Sequence, residues 1–163
     1  MKFKILFVCL GNICRSPSAE GVALHIIKER GWQEFFEIDS AGLHSYHAGE
    51  KADPRMREAA HARGYELLSR SREIVLDDFL YYDLIVAMDD ANATELYHRA
   101  PTLEDSRKIV KMRDYFPDSV DLDHVPDPYY GGAKGFELVL DLLEASVERL
   151  LRRHLPKLPS QVE

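Results

Sequence analysis

Apolar positions along the chain follow two rhythms that alternate. A continuous run, Ile5-Leu6-Phe7-Val8, predicts a strand over residues 4–8 that is buried on both faces. Ser16-Pro17 follows, with Ser16 as the expected N-cap. Ala19, Val22, Ala23, Ile26 and Ile27 then recur at helical spacing until Gly31. Residues 35–41 read as a second strand, and residues 42–53 as a loop with few apolar anchors. Asp53-Pro54 opens a helix that ends near Gly64, and a short helical turn falls within residues 75–82. Leu84-Ile85-Val86-Ala87-Met88 is a third buried strand, and Asp89 caps a helix running to about Ala100. Residues 108–112 form a fourth, shorter strand. A connection rich in Pro and Gly spans 117–132. A last helix over 134–154 carries Phe136, Val139, Leu140, Leu143, Val147 and Leu150 as its stripe.

Strands alternating with helices in this way predict a single α/β domain over residues 1–155. Its expected core is a four-stranded parallel doubly wound sheet with helices on both faces. Pro156 and Pro159 mark residues 156–163 as a frayed tail. Ligands of such folds bind beyond the carboxyl ends of the strands. The loop after the first strand and the connection before the last helix are therefore the places to look.

Composition narrows the function. At 163 residues, with 45% hydrophobic and 30% charged residues, the chain can bury one ordinary core and is not a disordered polymer. Twenty-eight acidic against 21 basic residues leave a net charge of −7, which argues against a broad nucleic-acid groove. Any phosphate must then be held locally. The apolar run from Ile5 to Leu10 falls far short of the ~20 residues of a membrane span. It is also shorter than a secretory core, so a cytoplasmic protein is expected. The two cysteines, Cys9 and Cys14, stand too close to staple a fold; a reducing compartment and a chemical role suit them better.

Those cysteines lie in the first loop, Cys9-Leu10-Gly11-Asn12-Ile13-Cys14-Arg15-Ser16. A loop curling from the end of a strand to the start of a helix can aim its backbone N–H groups at one centre. The helix N-terminus adds its positive end there. Gly11 and Asn12 are the residue types that tolerate the left-handed backbone of such a curl. Arg15 offers a planar fork for two phosphate oxygens. Cys9 would lie beneath the anion as a thiolate, since helix N-termini and arginine depress thiol pKa values. A cysteine alone at a strand end reads as a small core residue; it is the whole spacing that makes it a nucleophile aimed at phosphorus. No Gly-Lys-Ser/Thr follows, so this is not a nucleotide-binding P-loop.

Val8-Cys9-Leu10-Gly11-Asn12-Ile13-Cys14-Arg15-Ser16-Pro17 resembles the signature of the low-molecular-weight protein tyrosine phosphatases. The resemblance extends over nearly the whole chain. It includes Asp39-Ser40-Ala41-Gly42, Met88-Asp89 and Asp127-Pro128-Tyr129-Tyr130-Gly131. It implies a metal-independent and cofactor-free hydrolysis of protein phosphotyrosine or small aryl phosphates, with inorganic phosphate as product. Cys9 would be the nucleophile, Arg15 the clamp and Asp127 the general acid and base. Pro126 and Pro128 independently suit Asp127 to that role, because they restrict its backbone. The resemblance makes Tyr129 and Tyr130 pocket walls and Tyr46 a rim aromatic. It makes Asn12, Ser16 and Ser40 braces of the loop, and Cys14 a redox partner that closes a reversible disulfide with Cys9. Many animal members carry a histidine in the stretch corresponding to residues 67–72, tied to that bracing; this chain has Ser69 there.

Three other readings compete. Arsenate reductases need further downstream cysteines, and none follows Cys14. Arginine phosphatases resemble the family but typically carry threonine at the position of Ile13. A phosphotyrosine-binding or redox-sensing module without turnover would be expected to lack the nucleophile, the arginine or the acid. His44 and His47 have no third ligand at suitable spacing and read as loop residues rather than a metal site.

Overall fold

The computed structural model describes residues 1–156. Four parallel strands, β1 (Phe3–Cys9), β2 (Phe36–Gly42), β3 (Leu84–Ala87) and β4 (Ile109–Lys111), form one sheet in the order β2-β1-β3-β4. β1 pairs with β2 from Phe3↔Phe36 to Cys9↔Gly42 and with β3 from Ile5↔Leu84 to Val8↔Ala87. The crossover direction reverses at β1, so the carboxyl end of β1 opens onto the crevice where such sheets bind ligands. The α/β doubly wound reading therefore holds.

Both faces of the sheet are buried, as the unbroken apolar runs require. Ile5, Phe7, Cys9, Leu84, Val86 and Met88 point to one side. There they meet α1 (Arg15–Arg30), α2 (Pro54–Ala62) and α6 (Ala133–Arg153) through Ala19, Val22, Met56, Val139 and Leu143. Leu6, Val8, Ile85 and Ala87 point to the other side. They pack on Phe79 of α3 (Leu76–Tyr81) and on Ala93 and Leu96 of α4 (Asp90–Arg99).

The helix boundaries follow local chemistry. Gly31 ends α1 in the left-handed conformation (φ 72°), and the N–H of Trp32 closes back onto the carbonyl of Ile27 at 2.9 Å. Asp53 caps α2 through the N–H of Arg55, with Pro54 in the first turn. Asp89 caps α4 through the N–H of Asn92 at 2.7 Å.

Three expectations need correction. Ser16 is not an N-cap: α1 begins at Arg15, Cys14 occupies the cap position, and no side chain caps it. The hydroxyl of Ser16 is used elsewhere. A further helix, α5 (Leu103–Ser106), capped by Thr102, lies in a stretch too short to show helical periodicity. β4 spans only three residues, because a 3-10 turn, Met112–Tyr115, takes over at Met112. The expected tail lies, beyond Pro156, outside the described residues. No helix among the described residues is long and apolar enough to cross a membrane.

Candidate active site

The site is built where β1 runs into α1. The backbone leaves the sheet at Cys9, turns through Asn12 in the left-handed region (φ 57°) and enters the helix at Arg15. The curl thus needs its left-handed residue at Asn12 alone. Gly11 serves a different purpose, because a Cβ there would lie 3.3 Å from His44 Cε1 and 3.4 Å from His47 Cδ2. Gly42 lets β2 come equally close from below, where a Cβ would meet the Leu10 carbonyl oxygen at 3.0 Å. The loop is therefore held between the end of β2 and the two imidazoles.

Asn12, Ser16 and Ser40 join in one network. The Asn12 amide donates to Ser16 Oγ at 2.8 Å and to Ser40 Oγ at 3.0 Å, and its Oδ1 accepts the N–H of Arg72 at 3.1 Å. These bonds stabilise an Asn backbone that sterics disfavour. Ser16 Oγ lies 3.0 Å from Cys9 Sγ, and the N–H of Ser16 points at the same sulfur at 3.4 Å. The Ser40 hydroxyl donates to Glu20 Oε1 at 2.6 Å, and Ser71 Oγ donates to the Gly11 carbonyl at 3.0 Å. The Ser69 hydroxyl faces the Glu20 carboxyl as well. Burial pushes the Glu20 carboxyl up, and Asp39 adds to the effect; the Ser40 and Ser69 hydroxyls and Arg72 oppose it.

Arg15 is only 2% exposed. A buried guanidinium needs partners. Its Nη1 donates to Asp89 Oδ2 at 2.6 Å and to the Val125 carbonyl at 3.0 Å, and its Nη2 lies 3.7 Å from Asp127 Oδ2. Burial works against its charge, but Cys9, Asp89 and Asp127 together hold its pKa above the ordinary value. Positive charge is thus fixed beside the sulfur.

Asp127 sits on the connection before α6. The N–H of Tyr129 donates to its Oδ1 at 3.0 Å. Arg55 supports this segment from α2: its Nη2 donates to the Tyr129 carbonyl at 3.1 Å, and its guanidinium lies 5.5 Å from the Tyr129 ring centre. Cys14 is a buried residue of the loop itself. Burial, with Asp53, Cys9 and Asp127, pushes its thiol pKa far up, so it stays protonated.

A cavity of about 310 Å³ opens over the loop. Cys9, Leu10, Gly11, Ile13, Cys14 and Arg15 form its floor. Tyr46, Asp127, Tyr129 and Tyr130 line it too, together with His44 and His47. Tyr46 and Tyr130 are 86% and 93% exposed, free to lie against a ligand. The side chains of Asn12, Ser16 and Ser40 bond one another away from the cavity. Sequence reasoning missed Asp89, Arg72, Ser71, Glu20 and Arg55 as parts of the site, and it left the two histidines as ordinary loop residues. Asp89 carried a readable signal, being a carboxylate at the carboxyl end of a buried strand beside β1. Glu20 carried none, for a glutamate one place after an apolar helix position reads as solvated.

An arrangement of this kind can bind a tetrahedral anion, attack it with sulfur and exchange a proton with it. The chain is similar to known proteins. The profile of the low molecular weight phosphotyrosine protein phosphatase family matches residues 4–160. A low molecular weight protein-tyrosine-phosphatase of Streptomyces coelicolor is 42% identical over 153 residues, covering 93% of each chain. The crystal structure of a protein tyrosine phosphatase from Entamoeba histolytica, with Hepes in its active site, superposes with a TM-score of 0.90. It is 47% identical, covering 93% of this chain and 96% of that one. A Drosophila arginine phosphatase superposes with a TM-score of 0.85 at 35% identity, covering 94% of this chain and 97% of its own.

Proposed function

From the premise that this chain belongs to the low molecular weight phosphotyrosine protein phosphatase family, we propose that its residues share the work of phosphotyrosine hydrolysis as follows. The enzyme is a cysteine-dependent phosphomonoester hydrolase acting on protein phosphotyrosine and aryl phosphates. Cys9 Sγ attacks phosphorus while the bond from phosphorus to the aryl oxygen breaks and the proton of Asp127 passes to that oxygen. Water then attacks the cysteinyl phosphate and gives its proton to Asp127. The sulfur–phosphorus bond breaks, returning thiolate and inorganic phosphate. Ser16 donates to the sulfur as it becomes the leaving group. Backbone N–H groups of residues 10–15 and the Arg15 fork carry the charge of the transferring group. An incoming phosphoryl group competes with Asp127 for Arg15 Nη2, while Nη1 stays on Asp89.

The observation that carries this reading is the convergence of Cys9, Arg15 and Asp127 on one cavity. Ile13 lines that cavity with apolar surface, which suits an aryl ring better than a phosphoguanidinium. Tyr46, Tyr129 and Tyr130 would flank the ring. Protein phosphotyrosine is the expected partner, with no nucleic acid. Free cysteines at 9 and 14 favour work in a reducing compartment such as the cytoplasm.

The test is metal-free hydrolysis of phosphotyrosine, phosphoserine and phosphoarginine peptides by wild type and Cys9→Ser. Cleavage of phosphotyrosine alone, abolished in the variant, supports the reading. Preferential cleavage of phosphoarginine would move the enzyme to the arginine-specific class. Tight phosphotyrosine binding without turnover would make it a binding module.

A further inference from the structure

His44 and His47 stand on the outer side of the phosphate-holding loop, half-buried, and both line the cavity. They belong to a row of rings along its mouth. His44 meets Tyr46 edge-on at 4.8 Å and lies 6.4 Å from His47, which lies 6.1 Å from Tyr129. Bare aryl phosphate chemistry has no use for two imidazoles here, since the loop and Arg15 already hold the anion.

Their partners assign their protons. The N–H of Tyr46 donates to His44 Nδ1 at 3.3 Å. That nitrogen is therefore unprotonated, and the hydrogen of the neutral ring sits on Nε2. His47 Nδ1 lies 3.0 Å from Glu50 Oε2. A carboxylate only accepts, so this Nδ1 carries the hydrogen and Nε2 of the neutral ring is an acceptor. The free edges of both rings face the loop: His44 Cε1 and Nε2 lie 3.3 and 3.8 Å from the place of a Cβ on Gly11, and His47 Cδ2, bonded to Nε2, lies 3.4 Å from it.

In their neutral forms the two neighbouring imidazoles thus take opposite tautomers, one presenting a donor and the other an acceptor. A peptide main chain offers the matching acceptor and donor side by side. We propose that His44 and His47 are specificity-determining residues that read the backbone amides flanking a phosphotyrosine, His44 Nε2–H donating to a carbonyl and His47 Nε2 accepting an N–H. The inference deepens the phosphatase reading and rests on it: the two histidines favour peptide or protein phosphotyrosine over small aryl esters.

The test compares N-acetyl-phosphotyrosine methylamide with 4-methylphenyl phosphate, which is the same side chain without its amides. Steady-state constants are measured for wild type, Cys9→Ser, His44→Phe and His47→Phe; phenylalanine keeps a ring packed on Gly11. Each histidine variant should lower the ratio of the two kcat/KM values about fivefold, the span of one neutral hydrogen bond. The loss should appear in KM of the amide substrate, with its kcat little changed. A ratio that stays constant overturns the proposal, whether both substrates lose activity together, as ring support of the loop would dictate, or neither does. Absence of Cys9-dependent turnover of both substrates in wild type is a different failure, which removes the phosphatase reading and the proposal with it.

Discussion

Asp89 Oδ2 lies 2.6 Å from Arg15 Nη1, while Asp89 Oδ1 accepts the N–H of Asn92 in the first turn of α4 at 2.7 Å. One carboxylate thus joins the end of β3, the start of α4 and the phosphate clamp. With the Val125 carbonyl it fixes one side of the guanidinium and leaves Nη2 toward the cavity. An unrestrained arginine would lose side-chain entropy on each binding event; here that cost is met in folding.

Replacing Asp89 by Asn separates the two duties. Asn caps helices about as well as Asp, so α4 should persist. The charge-assisted bond to Arg15 becomes a neutral one. We expect kcat/KM on an aryl phosphate to fall about 10- to 100-fold, since a misplaced clamp costs of that order. Activity within twofold of wild type would show that the Val125 carbonyl alone suffices to aim Arg15.

Asp127→Ala should lower kcat by about 10²–10⁴-fold, the range of one acid–base group. The loss should be largest for phenolic leaving groups that need the proton and smaller for p-nitrophenyl phosphate. Phosphate should still bind as a competitive inhibitor, because loop and Arg15 are intact. Near-normal turnover of phosphotyrosine by the variant would sink the assignment.

Much of this was readable from the chain. The buried runs at Ile5–Val8 and at Leu84–Met88, and the caps at Asp53, Asp89 and Gly31, depend on neighbours in sequence. The loop chemistry of Cys9, Asn12 and Arg15 is equally local. What escaped depends on tertiary placement. Ser16 reads as a cap, but the turn of the loop puts Cys14 in the cap position and leaves the Ser16 hydroxyl 3.0 Å from Cys9 Sγ. Gly11 looked left-handed, but it is the approach of two histidines over 30 residues on that requires a glycine. Ser71 and Arg72 reach the loop from 60 residues away.

Cys14 bears on oxidation. Mild peroxide should convert Cys9 to a sulfenic acid. Attack by Cys14 sulfur on that sulfur, with the hydroxyl leaving as water, would close a disulfide. Wild-type activity should then return with dithiothreitol. Cys14→Ser should instead accumulate sulfinic acid at Cys9 and stay inactive. Mass spectrometry distinguishes the two, and equal recovery of both proteins would leave Cys14 a buried filler.

Glu20 predicts a pH effect on stability. Burial and Asp39 raise its carboxyl pKa in the folded protein. The unfolded chain holds an ordinary glutamate, so folding favours the protonated form. Its contribution is fully present below the ordinary glutamate pKa and is lost as pH rises through the elevated folded value. Glu20→Gln removes the ionisation and keeps an oxygen for the Ser40 hydroxyl. Above that window the variant should melt higher than wild type, by about 2–4 °C for each kcal/mol relieved. Below it, where Glu20 is protonated in both states, the two melting temperatures should converge. Thermal melts from pH 4 to pH 8 decide the matter. A constant difference across the range would mean that the Glu20 proton is not linked to folding, and that its buried carboxylate is already offset by Ser40, Ser69 and Arg72.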